Sequence, residues 1–263
     1  MKEINLNKIA DFKEWHESAR ECILSGIPPN QIVWQTDTNK QTNLFIDTPV
    51  HIAKNKIEKI SVPASFLDMA QSAICHSSPQ RYDLLYRILY RLQYKNKNLL
   101  NLKTDSDVMH LQKLVKAVRR DAYKIKAFLR FRVLEIEERE IYIAWHEPEH
   151  YTLEMVTDFF KTRFRNMQWS ILTPYRAAHW NGVALAYEDN PDPALFPTED
   201  DFERHWLTYY KNIFNPARLK TSAMLNQMPK KYWKTMPETV LIKDMIDTAE
   251  QKTREMIQKS NGA

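Results

Sequence analysis

Glycine occurs only three times in 263 residues. The chain therefore has no G-x-G-x-x-G turn and no glycine-rich phosphate loop, which excludes a Rossmann dinucleotide enzyme and a P-loop nucleotide hydrolase. Cysteine is scarcer still. Cys22 and Cys75 stand far apart, too few for a cysteine zinc site or an iron–sulfur cluster within one chain. Both fall in apolar helical patterns, so buried reduced thiols and a cytoplasmic location are expected. No run of about 18 apolar residues is present, and the N-terminus MKEINLNKIADFKEWHE lacks the apolar core of a signal peptide.

The most informative absence is local. Tyr209 to Pro237 contains no Asp or Glu, but it holds six cations (Lys211, Arg218, Lys220, Lys230, Lys231, Lys234) threaded with Tyr209, Tyr210, Phe214, Tyr232 and Trp233. A second window, Leu111 to Leu134, has eight Lys or Arg against one Asp. The two windows carry +13 against +5 for the whole chain, so the remainder sums to −8. Positive charge is concentrated, as in surfaces that meet phosphate backbones through counterion release, with aromatics on which bases stack.

Periodicity predicts helices over Asp11–Ser25, Pro63–His76, Pro79–Lys95, Asp107–Lys126 and Leu153–Phe164, and again from Asp201 onward with breaks at Pro216, Pro229 and Pro237. In the third helix Arg87, Arg91 and Lys95 step along one face, a pattern that usually marks a solvated surface. In the fourth, Val108, Leu111, Val115, Val118, Ala122 and Ile125 form an apolar stripe. Lys113, Lys116, Arg120 and Lys124 fall on the opposite side, with Arg119 at its edge. Period-two alternation predicts strands at Ile32–Trp34, Leu129–Val133, Ile141–Trp145 and Met167–Ile171. Asn181-Gly182 between AAHW and VALAY predicts a type I′ hairpin. The expected fold is α+β, an antiparallel sheet of about five strands over 127–188 packed with N-terminal and C-terminal helices. A mostly helical region 1–100 would precede a core with a helical lobe over 101–263, the whole forming one compact unit.

His146-Glu147-Pro148-Glu149-His150 matches H-E-x-x-H formally. A zinc peptidase needs both histidines on one helical face, and Pro148 fits only the first turn of a helix, which leaves His146 outside it. No metal or cofactor is expected. Glu149, His150, His179 and Asp121 are candidates for acid–base work, with capping and core roles as the alternatives. Arg130 and Arg132 share a strand face and are read either as cross-strand partners of acids or as phosphate contacts. Asn215-Pro216 has the form of a helix N-cap followed by N1, which would present free N–H groups beside Arg218 and Lys220. Lys230, Lys231, Tyr232 and Trp233 complete the candidate nucleic-acid contacts. His179 beside Trp180, and Trp233, are read as stacking platforms or as core.

The segments VKAVRRDAYKIKAFLRFR, AWHEPEHY, FFKTRFRNMQWSILTP, AHWNG, YYKNIFNPARLK and MPKKYWKTMPE, in this order, resemble a bacterial family named for DNA metabolism or DNA repair, built on a domain of unknown function. The N-terminal FKEWHESARECILSGIPPNQIVW and SVPASFLDMAQSAICHSSPQRYDLLYRILYRLQ are similar to that family as well. The resemblance implies a partner, a radical-SAM DNA repair or modification protein. In some relatives it implies a joined uracil-DNA glycosylase-like domain. It carries no established catalytic residues.

Three functions follow as expectations. The first is a DNA-binding accessory protein that acts with the radical-SAM partner and favours single-stranded or distorted DNA. The second is a base-processing enzyme in its own right, and the third a protein-binding adaptor without direct DNA contact.

Overall fold

The computed structural model describes residues 1–36, 60–136, 139–195 and 221–242. Asn215, Arg218 and Lys220 lie outside the described residues. The chain divides into two compact units, one formed by residues 1–121 with 149–152 and the other by residues 122–148 with 153–263.

The first unit opens with a parallel pair, β1 (Lys2–Leu6) and β2 (Ile32–Thr36), aligned from Lys2↔Ile32 to Leu6↔Thr36. Helix α1 (Phe12–Leu24) forms the crossover between them. Asp11 caps α1, its Oδ1 accepting from the N–H groups of Lys13 and Glu14. At the other end Gly26, at φ 68°, donates to Ile23 O while Ile27 N–H donates to Cys22 O, so orphan carbonyls of the last turn are satisfied in a Schellman stop. β1 was not legible from periodicity. Its five residues KEINL have too few apolar positions to show an alternation.

Helices α2 (Ala64–Ala73), α3 (Arg81–Tyr94) and α4 (Ser106–Phe128) follow. Their apolar stripes bury Phe66, Leu85, Ile88, Val108, Leu111 and Val118 together with Trp15 and Trp34. Tyr86 donates its hydroxyl to Ile27 O at 2.7 Å, which ties α3 to the turn after α1. Both cysteines are buried and free. Helix α4 belongs to the first unit through Asp121 and to the second from Ala122.

The second unit is built on a five-stranded sheet in the order β3 (Arg132–Ile136), β4 (Arg139–Trp145), β5 (Trp169–Leu172), β6 (Arg176–Trp180), β7 (Leu185–Asp189). Three of the neighbouring pairs are antiparallel, but β4 and β5 run parallel. This corrects the all-antiparallel expectation. The chain between Trp145 and Trp169 contains α5 (Glu154–Arg163), and such a helical crossover returns the chain to the end from which a parallel strand can start. Phe160, Trp169, Ile171, Leu153 and Ala178 fill the core against one face.

Two local expectations are also corrected. Leu129 to Phe131 is not strand: α4 runs to Phe128 and β3 begins at Arg132, which puts Arg130 in the connection. The β6–β7 turn is not a two-residue type I′ turn. Asn181 to Ala184 form a longer loop in which Asn181 Oδ1 accepts from the N–H groups of Val183 and Ala184 at 2.9 and 2.7 Å. Only Gly182 takes positive φ there, because the asparagine side chain replaces the backbone bond that a I′ turn would make. Near the C-terminal end, α6 (Thr221–Gln227) is followed by 3-10 turns at Lys230–Thr235 and Pro237–Leu241.

Candidate functional site

Helix α4 presents the cations that the sequence placed opposite its apolar stripe. Lys113, Lys116, Arg119 and Arg120 are exposed. Arg119 donates to Asp68 at 2.7 Å and to Ser72 Oγ at 3.3 Å. Lys113, Lys116 and Arg120 form no ion pair among the described residues. At positions i, i+3 and i+7 they share one side of the helix.

The other described nucleic-acid candidates lie in the second unit, where most already have intramolecular partners. Arg130 holds Glu238 through Nε and Nη2 at 3.1 and 2.7 Å, and its Nη1 donates to the carbonyls of Ala127 and Leu129. Glu238 is 1% exposed, so this pair joins the C-terminal turns to the end of α4. Arg132 is half-buried in β3. Tyr232 is buried, stacked at 5.0 Å on the His146 ring and at 5.6 Å on Phe128. Lys124 and Lys231 lie 5.6 and 4.8 Å from its ring centre. Trp233 is half-buried and donates to Met228 O at 3.1 Å, with Lys230 5.9 Å from its ring. Trp180 is buried and donates to Arg165 O. His179 bridges Ser170 Oγ at 2.8 Å and Glu188 at 3.3 Å across neighbouring strands.

His146 follows β4 and His150 precedes α5, so neither lies on a helix and the i, i+4 geometry of a zinc peptidase is absent. His146 is 1% exposed, and among the described residues neither ring nitrogen has a hydrogen-bond partner. Burial, and then Lys231, push its pKa down to about 4. Among the described residues no group of three or more His, Cys, Asp or Glu is arranged to hold a metal ion.

A second cluster, within the first unit, unites two of the candidate acid–base residues with two groups that the sequence reading missed. Asp121, 2% exposed, accepts at Oδ2 from the backbone N–H of His150 at 3.0 Å and from Thr152 Oγ1 at 3.2 Å. The His150 ring lies 4.1 Å from that of His76, tilted by 30°, and its Nδ1 accepts from Ser77 N–H at 3.3 Å. His76 Nδ1 accepts from Ser78 N–H at 3.0 Å. In their neutral forms both imidazoles therefore carry the ring proton on Nε2. The His76 pKa is pushed down to about 4 by burial first, then by His150, Arg81 and His110. Arg81, the first residue of α3, is 4% exposed. Its Nη1 donates to Ser78 O, its Nη2 donates to Tyr82 OH, and it lies 4.0 Å from the Tyr82 ring. Glu149 is exposed beside His150. The run CHSSPQR held the clue to this cluster: a polar turn that ends in a cation at a helix start, where acids are the favoured charge.

A cleft of about 700 Å³ also lies in the first unit. Tyr86, Tyr90, Pro28 and Pro29 form its apolar walls, and Asp83 and His110 line it too. None of Asp121, Glu149, His150 or His179 does.

Comparison with known proteins identifies one family. A domain of unknown function, DUF4130, matches residues 79–238, more than half of the chain, and the protein belongs to that family. No curated protein and no solved structure matches it.

Proposed function

We propose that this member of the DUF4130 family is a DNA-binding accessory protein in DNA repair or modification that acts with a radical-SAM partner. The observation that carries the DNA-binding part is the exposed row Lys113, Lys116 and Arg120 on α4, which has no ion-pair partner among the described residues. Exposed cations without carboxylate neighbours keep their donors for phosphate and release counterions when they bind. The repair context and the partner come from the family resemblance of the sequence segments.

The reading makes a two-part demand. Binding of a fluorescent oligonucleotide should weaken with salt at a slope of roughly −3 to −5 in log K against log salt, the value for about four to six neutralised phosphates. The radical-SAM partner, co-expressed, should purify with the chain after nuclease treatment. A flat salt response removes the DNA-binding part, and failure to co-purify removes the partner.

A further inference from the structure

Arg81 is a charge without a counter-ion. Among the described residues no carboxylate pairs with it, and its Nε has no hydrogen-bond partner. Its guanidinium carbon lies 4.0 and 5.4 Å from the ring centres of Tyr82 and Tyr151, and its Nη groups donate to neutral oxygens, the Ser78 carbonyl and the Tyr82 hydroxyl. Burial of a guanidinium without a counter-charge is costly, and a bound anion would relieve that cost. The helix start adds a partial charge of the same sign. Arg81 stands at the positive end of the 14-residue helix α3, whose N-cap Gln80 makes no side-chain capping bond. His76 offers an Nε2 with no partner among the described residues, and the cluster reaches solvent where His76 is half-buried and Ser77 exposed.

We infer that the turn 76–80 and Arg81 form a binding site for a phosphate monoester, with the Arg81 guanidinium as counter-ion and the His76 Nε2–H as a second donor. A dianionic terminal phosphate suits this setting. It can approach the half-buried turn as a chain end or a small ester, whereas an internal diester of an extended strand would bring its neighbours with it. The inference does not depend on the α4 row, because inorganic phosphate alone probes Arg81.

The test is a thermal melt of the full chain in inorganic phosphate against chloride at equal ionic strength, for the wild type, Arg81→Met and His76→Asn. Asn keeps an acceptor for Ser78 N–H while removing Nε2. The wild-type Tm should rise by about 5–10 °C at phosphate a hundredfold above its Kd. The rise should be lost in Arg81→Met and at least halved in His76→Asn. An equal rise in all three is a general salt effect and overturns the site. So does a phosphate-free Tm of Arg81→Met far below wild type, which would assign the guanidinium to the fold. Paired oligonucleotides with and without a 5′-phosphate identify the source. About tenfold tighter binding of the phosphorylated end, abolished by Arg81→Met, assigns the site to nucleic-acid termini. The Arg81-dependent rise without that preference assigns it to a small phosphate ester.

Discussion

Helices α3 and α4 both carry a basic stripe, and the two stripes have opposite fates. On α3, Arg87 donates twice to Asp107 at 3.0 and 2.9 Å, and Arg91 spans Asp105 and Asp107 at 2.5 to 3.0 Å. Those aspartates flank the start of α4, where Asp105 also accepts from the N–H groups of Asp107 and Val108. Both carboxyl pKa values are held below the usual range by these arginines, and burial at Asp107 opposes the effect. On α4, Lys113, Lys116 and Arg120 have no such partners among the described residues. Charge periodicity alone therefore does not separate a binding face from a fastening. A guanidinium bound to two carboxylates has spent its donors, while an unpaired surface cation gives up only counterions when it meets phosphate.

The largest expected effect lies where a pairing is buried. Arg130→Met removes the guanidinium that holds Glu238 and should lower unfolding stability by about 3–5 kcal/mol in a urea titration. A loss below about 1 kcal/mol would put Arg130 with the binding cations instead. Next comes the triple change Lys113→Glu, Lys116→Glu, Arg120→Glu. It should weaken DNA binding by about a hundredfold at moderate salt and make the salt slope shallower by about 2–3, with an unchanged circular dichroism spectrum. Unaltered binding would leave the α4 row without a role.

The comparison extends to a buried base. His146 is neutral in the fold, its pKa lowered from 6.5 to about 4, so between these values the unfolded chain binds the extra proton. Its contribution is fully present above pH 6.5 and lost as the pH falls towards 4. His146→Phe should flatten that part of the pH–stability curve by about 3 kcal/mol. Identical curves for variant and wild type would mean that His146 does not stay neutral. The smallest effect belongs to the α3 stripe. Asp107→Asn should cost about 1–2 kcal/mol, discounted because the Arg87 side chain is 43% exposed, and should leave the DNA salt slope as it was. A steeper slope would show Arg87 and Arg91, once released, joining the binding face.

Much of the scaffold was legible because it repeats. The α4 stripe from Val108 to Ile125 and the alternation of Ile141, Ile143 and Trp145 announce their elements. Val108, Leu111, Val118 and Ile125 are completely buried. The parallel step from β4 to β5 was not legible, since strand direction depends on where the intervening helix packs rather than on the strand's own residues. Nor was the difference between Tyr232 as platform and as core. YW after two lysines reads alike in both cases, and burial against His146 and Phe128 decides it.

What the sequence determined by itself was local: which stretches are helix or strand, where charge concentrates, and that no glycine-rich loop or cysteine metal site is available. These follow from composition and from periods of two and 3.6 residues, which need no knowledge of distant neighbours. Tertiary structure decided which cations are spoken for. It set Asp105 and Asp107 against α3, placed Glu238 beside Arg130 across more than a hundred residues, and left Arg81 buried with no carboxylate paired to it among the described residues. An ion pair depends on separation in space, and chain order does not fix that separation until the fold has closed.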